Sequence, residues 1–580
     1  MPKRAAALAL LVVSLAAGCA PEAAPPPQSA AAASQGAPAA GAPHAGAAGV
    51  AWAGFDATTF AKAKAEGRFV ILDGAAEWCH FCHVMEEKTY ADPRVQALLS
   101  KHFIAAKVDI DQRPDIEERY GDWGWPATII FSPDGDELGK YRGFIPPDDF
   151  LEILSGVALG KAKPVTDVAP PAPVAKAPLS DEALEIIRRF TDLELEEFWD
   201  PKEGGWGREP KVPIGWNALY ALSHASEPRL RDHALVLLDR QQKLIDPVWG
   251  GIYQYSVAPD WDHPHFEKLV FWNAPAMAAY AEAFALTKDD RHRARANDLR
   301  RWFDRFMTSP EGTFYATQDA DLNSHPASVP FAPTSPRGAG AFMKGDEYYR
   351  LGDAERRALG VPRIDPNEYA DDNGLAIFAF ATLGLHTRDA SATAAAERAA
   401  VRILETHRVG QGGLSHLPGE ARGSKVHLAD CAAMGLGLVR LFDATSDKRW
   451  LVEARRIADF VERSHYDLDR GGFFSSTRDE NAVGVFRVRR KAFDENVLAL
   501  RFFARLAIAE GKPASVDVIE RSLAAIATPE DLKGRGKFLG DFLSLLDEVK
   551  AFRRLPAAPV PPTPTVTPKK PARDPFREIL

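Results

Sequence analysis

Three stretches of this chain share one grammar. Phe198-Trp-Asp-Pro-Lys-Glu-Gly-Gly-Trp206, Ile245-Asp-Pro-Val-Trp-Gly-Gly-Ile-Tyr253 and His465-Tyr-Asp-Leu-Asp-Arg-Gly-Gly-Phe473 each run from apolar or aromatic residues through an Asp turn to Gly-Gly and a hydrophobic anchor. Glu311-Gly-Thr-Phe314 and Gln411-Gly-Gly-Leu414 are degenerate copies. The glycines permit the positive φ that ends a helix and reverses the chain. A hairpin recurring in this way predicts helix pairs closing on themselves, an all-α (α/α)6 toroid, over residues 179–553. An irregular helical domain with common capping chemistry is the alternative.

Helical spacing of apolar residues supports this reading. It predicts twelve helices, at 181–198, 216–226, 230–245, 271–287, 289–307, 369–385, 390–406, 427–444, 447–464, 490–511, 514–526 and 537–552. Residues 316–366, rich in Pro, Gly and Asp, interrupt them and read as a long loop over one mouth of the toroid.

Residues 51–160 are patterned differently, as an α/β domain. Phe69–Leu72, Phe103–Val108 and Ala127–Phe131 read as strands, and Ser132-Pro-Asp-Gly135 as a turn leading to a fourth at Leu138–Tyr141. Helical patterns cover Val84–His102, broken at Asp92-Pro93, then Asp115–Tyr120 and Pro147–Leu154, so the expected order is β-α-β-α-β-β-α.

Proline-rich linkers separate these parts, at 19–50 and 161–178, and a Pro-rich tail covers 554–580. Residues 1–18 carry a charged start at Lys3-Arg4, an apolar run Ala5–Leu15 and the ending Leu15-Ala16-Ala17-Gly18 before Cys19. This resembles a lipoprotein signal peptide, with Cys19 lipidated after cleavage. The expectation is an exported protein held at the membrane by lipid alone, on the periplasmic face if the cell is Gram-negative. A net charge of −9 across 580 residues argues against nucleic acid as a partner. Four cysteines, Cys19, Cys79, Cys82 and Cys431, are too few for a disulfide scaffold, and Cys431 sits in an Ala/Gly/Leu helix as a small core residue.

Trp78-Cys-His-Phe-Cys-His83 is the chemical centre of the first domain. A dithiol where a strand feeds a helix N-terminus suits redox chemistry, because the amide dipoles there stabilise a thiolate. Cys82, one turn on, is placed to resolve a mixed disulfide formed at Cys79. Asp73 supplies a carboxylate six residues before Cys79, His80 can tune the thiol, and the Trp125-Pro126 bond could be cis and lie against the pair. Three other readings share these letters: a c-type haem attachment with His83 as axial ligand, a metal site, and an inert structural disulfide. The strand preceding the motif, inside a complete α/β pattern, weighs against haem.

Asp73-Gly-Ala-Ala-Glu-Trp-Cys79, Lys107-Val-Asp-Ile-Asp-Gln-Arg-Pro114, Trp125-Pro-Ala-Thr-Ile-Ile-Phe131 and Asp134-Gly135 resemble a thioredoxin fold in order and spacing. The resemblance implies Cys79 as nucleophile, Cys82 as resolving thiol, Asp73 as buried acid and Pro126 as cis-proline, with His80-Phe81 in place of the usual Gly-Pro. Over about 51–550 the chain resembles the spermatogenesis-associated protein 20-like family, through Trp78–Met85, Asp92, Val108-Asp109, Arg113-Pro-Asp115, Gly124-Trp-Pro126, Gly250-Gly-Ile-Tyr253, Tyr255-Ser-Val257, Pro264-His-Phe-Glu-Lys268 and Gln318-Asp-Ala-Asp321. That resemblance implies a thioredoxin-like domain (DUF255) coupled to a toroid similar to six-hairpin glycosidases. The glycine-rich stretch between Tyr253 and Tyr255 is shortened here, and Asp371-Asp-Asn-Gly374 matches loosely.

Within the toroid, His263, His265, Glu267, Lys268, Asp319 and Asp321, flanked by Tyr253, Tyr255, Trp261 and Trp272, form the densest polar cluster. Aromatics with carboxylates suit a sugar. The plainer reading pairs Glu267 with Lys268 at a helix start and buries the aromatics. The sequence therefore predicts a thiol-disulfide oxidoreductase of the cell envelope, needing no cofactor beyond a Cys79–Cys82 redox disulfide, with a protein or small-molecule disulfide client. A carbohydrate-active toroid, or a non-catalytic interaction scaffold, is the alternative.

Overall fold

A computed structural model describes residues 49–121, 124–164, 177–322, 342–420, 425–511 and 516–556. The expected signal peptide, Cys19, nearly all of the first linker, most of the second and the tail from 557 lie outside the described residues.

The first domain opens with a helix absent from the expected order, α1 (Ala57–Glu66), capped by Asp56 through the Thr58 and Thr59 amides. Its alanines and lysines give little hydrophobic contrast, which is why periodicity missed it. β1 (Phe69–Ala75), α2 (His80–Met85), a π-helical turn (Glu86–Tyr90), α3 (Pro93–His102), β2 (Phe103–Asp109), α4 (Pro114–Tyr120), β3 (Ala127–Phe131), β4 (Glu137–Arg142) and α5 (Pro147–Ala158) follow. The sheet order is β2-β1-β3-β4, with β1 parallel to β2 and the other pairs antiparallel. Val70 and Leu72 face one layer, with Phe60, Cys82 and Ile116, whereas Ile71 faces the other, with Leu99, Phe150 and Leu154. Burial on both faces explains the unbroken apolar run of β1.

The helical domain is α6 (Asp181–Glu197), α7 (Gly215–Ser223), α8 (Pro228–Gln241), α9 (Val270–Thr287), α10 (Asp290–Trp302), α11 (Gly345–Tyr348), α12 (Asp353–Leu359), α13 (Ala370–Thr387), α14 (Ala390–Thr406), α15 (Leu428–Thr445), α16 (Arg449–Ser464), α17 (Phe493–Glu510), α18 (Val516–Ile526), α19 (Pro529–Arg535) and α20 (Gly540–Phe552). Helices α7, α9, α13, α15, α17 and α20 each pack on the next, and α20 returns to α7, closing a ring. Outside it, α8, α10, α14, α16 and α18 each pack on the ring helix that precedes or follows them in the pair, and α6 packs on α20. The fold is the expected (α/α)6 toroid, and all twelve expected helices are present within a few residues. The ring helices are apolar almost all round, as an inner layer requires, whereas α16 keeps one apolar stripe for its inner face. Among the described residues no helix is long and apolar enough to cross a membrane.

The recurring turns have a common anatomy. Asp200, Asp246 and Asp467 each accept a backbone N–H two residues on, and each pairs with a lysine: Lys211 at 2.7 Å, Lys268 at 2.8 Å and Lys491 at 2.7 Å. Lys268 therefore belongs to Asp246 and not to Glu267. The first glycine of the pair lets the next outer helix close in: a Cβ on Gly250 would land on the Asp298 carbonyl, and one on Gly471 would lie 2.6 Å from that of Arg521. The hydrophobic anchor is then gripped by an asparagine at the fourth position of the following ring helix. Asn273 accepts from Ile252 N–H at 2.7 Å and donates to Ile252 O at 3.0 Å and Leu269 O at 2.9 Å. Asn373 does the same for Phe314 and Tyr369, and Asn496 for Phe473 and Ala492. Cys431 occupies the fourth position of α15, fully buried, with burial pushing its thiol up to about 12 despite a hydrogen bond to the Leu414 backbone.

Asn273→Ala removes the partner of two buried backbone groups and is expected to lower unfolding stability by roughly 2–4 kcal/mol. Urea unfolding measures this, and a loss below about 0.5 kcal/mol, the range of ordinary surface substitutions, contradicts the clasp.

Candidate active site

β1 delivers the chain to Trp78, and Cys79 then caps α2, its Sγ accepting the Cys82 N–H at 3.3 Å. The two sulfurs are joined in a disulfide across a Cα separation of 5.3 Å. Cys79 and Cys82 are 6% and 3% exposed, whereas Phe81 between them is 47% exposed. Asp73 lies buried on β1, opposite Lys107 of β2, whose Nζ is 3.8 Å from its carboxylate and also pairs with Glu86. Burial raises the Asp73 carboxyl, against the pull of Lys107 and Tyr90. The Trp125–Pro126 peptide is cis, and the Trp125 ring packs on Gly74, where a Cβ would come within 3.0 Å of it. Pro126 thus lies directly before β3, the strand paired with β1.

The toroid meets this dithiol. His80 Nδ1 is 2.9 Å from Asp321 Oδ2, while Asp321 Oδ1 accepts the Gly345 N–H at 2.7 Å. Glu77 pairs with Arg363, and Trp78 Nε1 donates to Asp111 Oδ2 at 2.7 Å. Farther along the seam, Lys425 pairs with Asp115 at 2.9 Å, and Phe486 packs between Phe55 and Phe131. Apart from Trp78–Asp111, within the first domain, and Asp321–Gly345, within the toroid, these contacts join residues more than 240 positions apart in the chain.

His265 stacks on Tyr255 with centroids 4.5 Å apart, and the Phe81 ring lies 6.4 Å from it. Glu267 is 2% exposed, and among the described residues its Oε2 has no hydrogen-bond partner, with His265 Nδ1 at 3.6 Å. Asp319 is buried too, but its backbone N–H donates to Arg363 O at 2.8 Å and its carboxylate accepts the Asp321 N–H at 3.0 Å, which makes it a loop-former. Tyr253 and Trp261 are core residues, and Tyr255 stays partly exposed. His263 is turned outward, against Asp260.

The hydrogen bond from Asp321 raises the His80 pKa; Glu267 adds to the rise, and burial and Lys344 oppose it. Beyond Trp78, burial and neighbouring carboxylates push Asp109 up to about 7 and raise Asp111 and Asp372 as well, and burial raises Asp365. Asp371, His416 and Asp430 bring possible metal-ligand atoms within 4.8 Å of one another. However, His416 Nδ1 is 2.8 Å from Asp430 and Nε2 2.7 Å from the Asp111 carbonyl, so both ring nitrogens donate. Against the cost of burial, Asp430 and Asp371 hold this imidazole protonated, up to about 10. The triad is an ion pair within the toroid, and the His416 Nε2 hydrogen bond to the Asp111 carbonyl ties it to the first domain. Sequence reading missed His416, Arg363 and Asp111 as parts of the site, because each acts through a partner on the other domain.

The family model described as "Thioredox_DsbH: Protein of unknown function, DUF255" matches residues 43–157. The first domain is a DUF255 domain. Spermatogenesis-associated protein 20 of Homo sapiens is 27% identical over 310 residues, 47% of this chain and 39% of that one, so the chain spans about two-fifths of this relative's length. Thiol:disulfide interchange protein DsbD 1 of Pseudomonas aeruginosa is 36% identical over 86 residues, 14% of each chain. Among solved structures, a sugar epimerase from a ruminal bacterium aligns with 64% of this chain and 99% of its own, at 13% identity and a TM-score of 0.48. In this chain the DUF255 domain carries its dithiol against the helical domain.

Because the His80 pKa is raised on folding, its pair with Asp321 stabilises the domain contact fully below the unfolded value near 6.5, and that stability is lost as pH rises through the folded value. A histidine NMR titration is expected to place His80 above about 6.5, and Asp321→Asn to bring it down. An unshifted His80 in the wild-type protein contradicts the pair.

Proposed function

We propose that this protein is a thiol-disulfide oxidoreductase working through Cys79 and Cys82. The carrying observation is the dithiol at the N-terminus of α2, following the strand that carries buried Asp73, with Trp125 packed against the core cluster that holds both cysteines. In the reducing direction the Cys79 thiolate attacks one sulfur of a client disulfide, forming a mixed disulfide and releasing one thiolate, which takes up a proton. Cys82 then loses its proton, attacks Cys79 Sγ and releases the second thiolate. Two electrons pass from the dithiol to the client, and the Cys79–Cys82 disulfide remains. The reverse sequence oxidises two client thiols. The Cys82 amide and the helix N-terminus stabilise the Cys79 thiolate, and Asp73, raised by burial, can carry the proton of the second thiol. The Leu15–Cys19 pattern supports an envelope setting, with lipid on Cys19.

A second reading, a toroid that binds or acts on carbohydrate, has one observation in its favour: a buried carboxylate, Glu267, beside the stacked Tyr255–His265 pair. Sugar turnover retained in a Cys79→Ser/Cys82→Ser protein and lost in Glu267→Gln would establish it.

Under the first reading, Cys79→Ser lowers reduction of a model disulfide by on the order of a hundredfold or more. Cys82→Ser accumulates a mixed disulfide, seen as an added mass in intact-protein spectrometry. Unchanged turnover in Cys79→Ser overturns the assignment.

A further inference from the structure

The dithiol and the toroid's polar cluster meet at one ledge, made by Phe81 from the DUF255 domain and by Tyr255, His265 and Glu267 from the toroid. We infer that this ledge is the substrate subsite of the oxidoreductase, and that it takes a low-molecular-weight disulfide carrying an ammonium group. The inference rests on the thiol-disulfide reading of Cys79 and deepens it.

Three observations carry it. First, Glu267 is 2% exposed and, among the described residues, its Oε2 accepts no hydrogen bond, which is costly for a buried carboxylate. His265 Nδ1 stands 3.6 Å from that oxygen, beyond hydrogen-bond reach. An ammonium N–H supplies both the missing donor and the opposite charge. Second, the faces beside this carboxylate are aromatic. Phe81 is 47% exposed and stands 6.4 Å from His265, which stacks on the partly exposed Tyr255. Such faces attract a cation and tolerate its methylenes. Third, the approach to the sulfurs is narrow. Cys79 and Cys82 are almost fully covered, His80 is held by Asp321 and Glu77 by Arg363. The flat surface of a folded client would have to break both contacts, whereas a small disulfide lying along Phe81 breaks neither. The reaction is that given above, Cys79 attacking the sulfur nearer the ledge.

The test uses the full-length protein, reduced and freed of reductant, mixed in single turnover with cystamine (dicationic), 2-hydroxyethyl disulfide (neutral) and dithiodiglycolate (dianionic). Each rate is divided by that of a simple monothiol with the same disulfide, which removes leaving-group differences. Cystamine is expected to exceed the neutral disulfide by about tenfold, and the dianion to fall below it. In Glu267→Gln the ratio of cystamine to dianion contracts toward one, and in the wild-type protein it contracts as salt rises. Equal normalised rates in the wild-type protein overturn the subsite, as does a preference that neither the substitution nor salt reduces. Failure to react with even the neutral disulfide faster than the monothiol overturns the oxidoreductase reading itself, so the two failures are told apart.

Discussion

A buried asparagine amide gripping one backbone residue is the contact on which the rest of this molecule depends. It occurs at Asn273, Asn373 and Asn496, always at the fourth position of a ring helix, and always on the anchor that ends a Gly-Gly or Gly-Thr turn. Each turn leaves an N–H and a C=O in an apolar interior, where an unpaired amide costs several times what a solvated one does. One planar amide answers both and also takes the open carbonyl four residues back on its own helix. Asp–Lys pairs beneath the turns close the remaining polar groups. The ring can therefore be apolar throughout while its connecting loops stay fixed.

Those fixed loops build the site. Asp321 and Arg363 belong to the long excursion between α10 and α13, and His416 follows the turn before α15. Each reaches the DUF255 domain through a charged or hydrogen-bonded contact, so the dithiol is held by groups on the other domain. Charge crowding follows from this. Burial raises Asp109, Asp111 and Asp365, and Asp365 of the toroid raises the first two further, while His416 stays cationic because it bridges Asp430 and the Asp111 carbonyl. Interdomain polar groups of this kind are costly to leave unpaired, which favours one docked arrangement over a loose tether.

The degenerate turns show where reading the chain ran short. At Ser309–Thr313 the aspartate is replaced by a Ser–Thr hydroxyl pair, 2.6 Å apart, which fills the same space without the charge. At Gln411–Leu414 the asparagine of the next helix is Cys431, so a residue legible only as small and buried proves to occupy the clasp position. Helix α1 went unseen because alanine and lysine leave almost no apolar stripe, and the Tyr253 and Trp261 rings expected near a ligand are core. By contrast, the four strands, the twelve toroid helices and the dithiol at a helix start were all legible, since each rests on periodicity or on residues adjacent in the chain.

The sequence by itself determined the two architectures and their order. Hydrophobic period and turn chemistry are local properties, and they suffice to specify a sheet with an apolar run and a ring of paired helices. It also marked Cys79 and Cys82, because a dithiol one helical turn apart needs no distant partner. Only the tertiary structure decided that His80 faces Asp321, that the Glu267 carboxylate is buried while Lys268 serves Asp246, and that Phe81 and His265 are neighbours. The reason is physical: charge pairing and desolvation depend on distances of a few ångströms between residues far apart in the chain, and such distances exist only once the ring has closed and the first domain has docked on its loops.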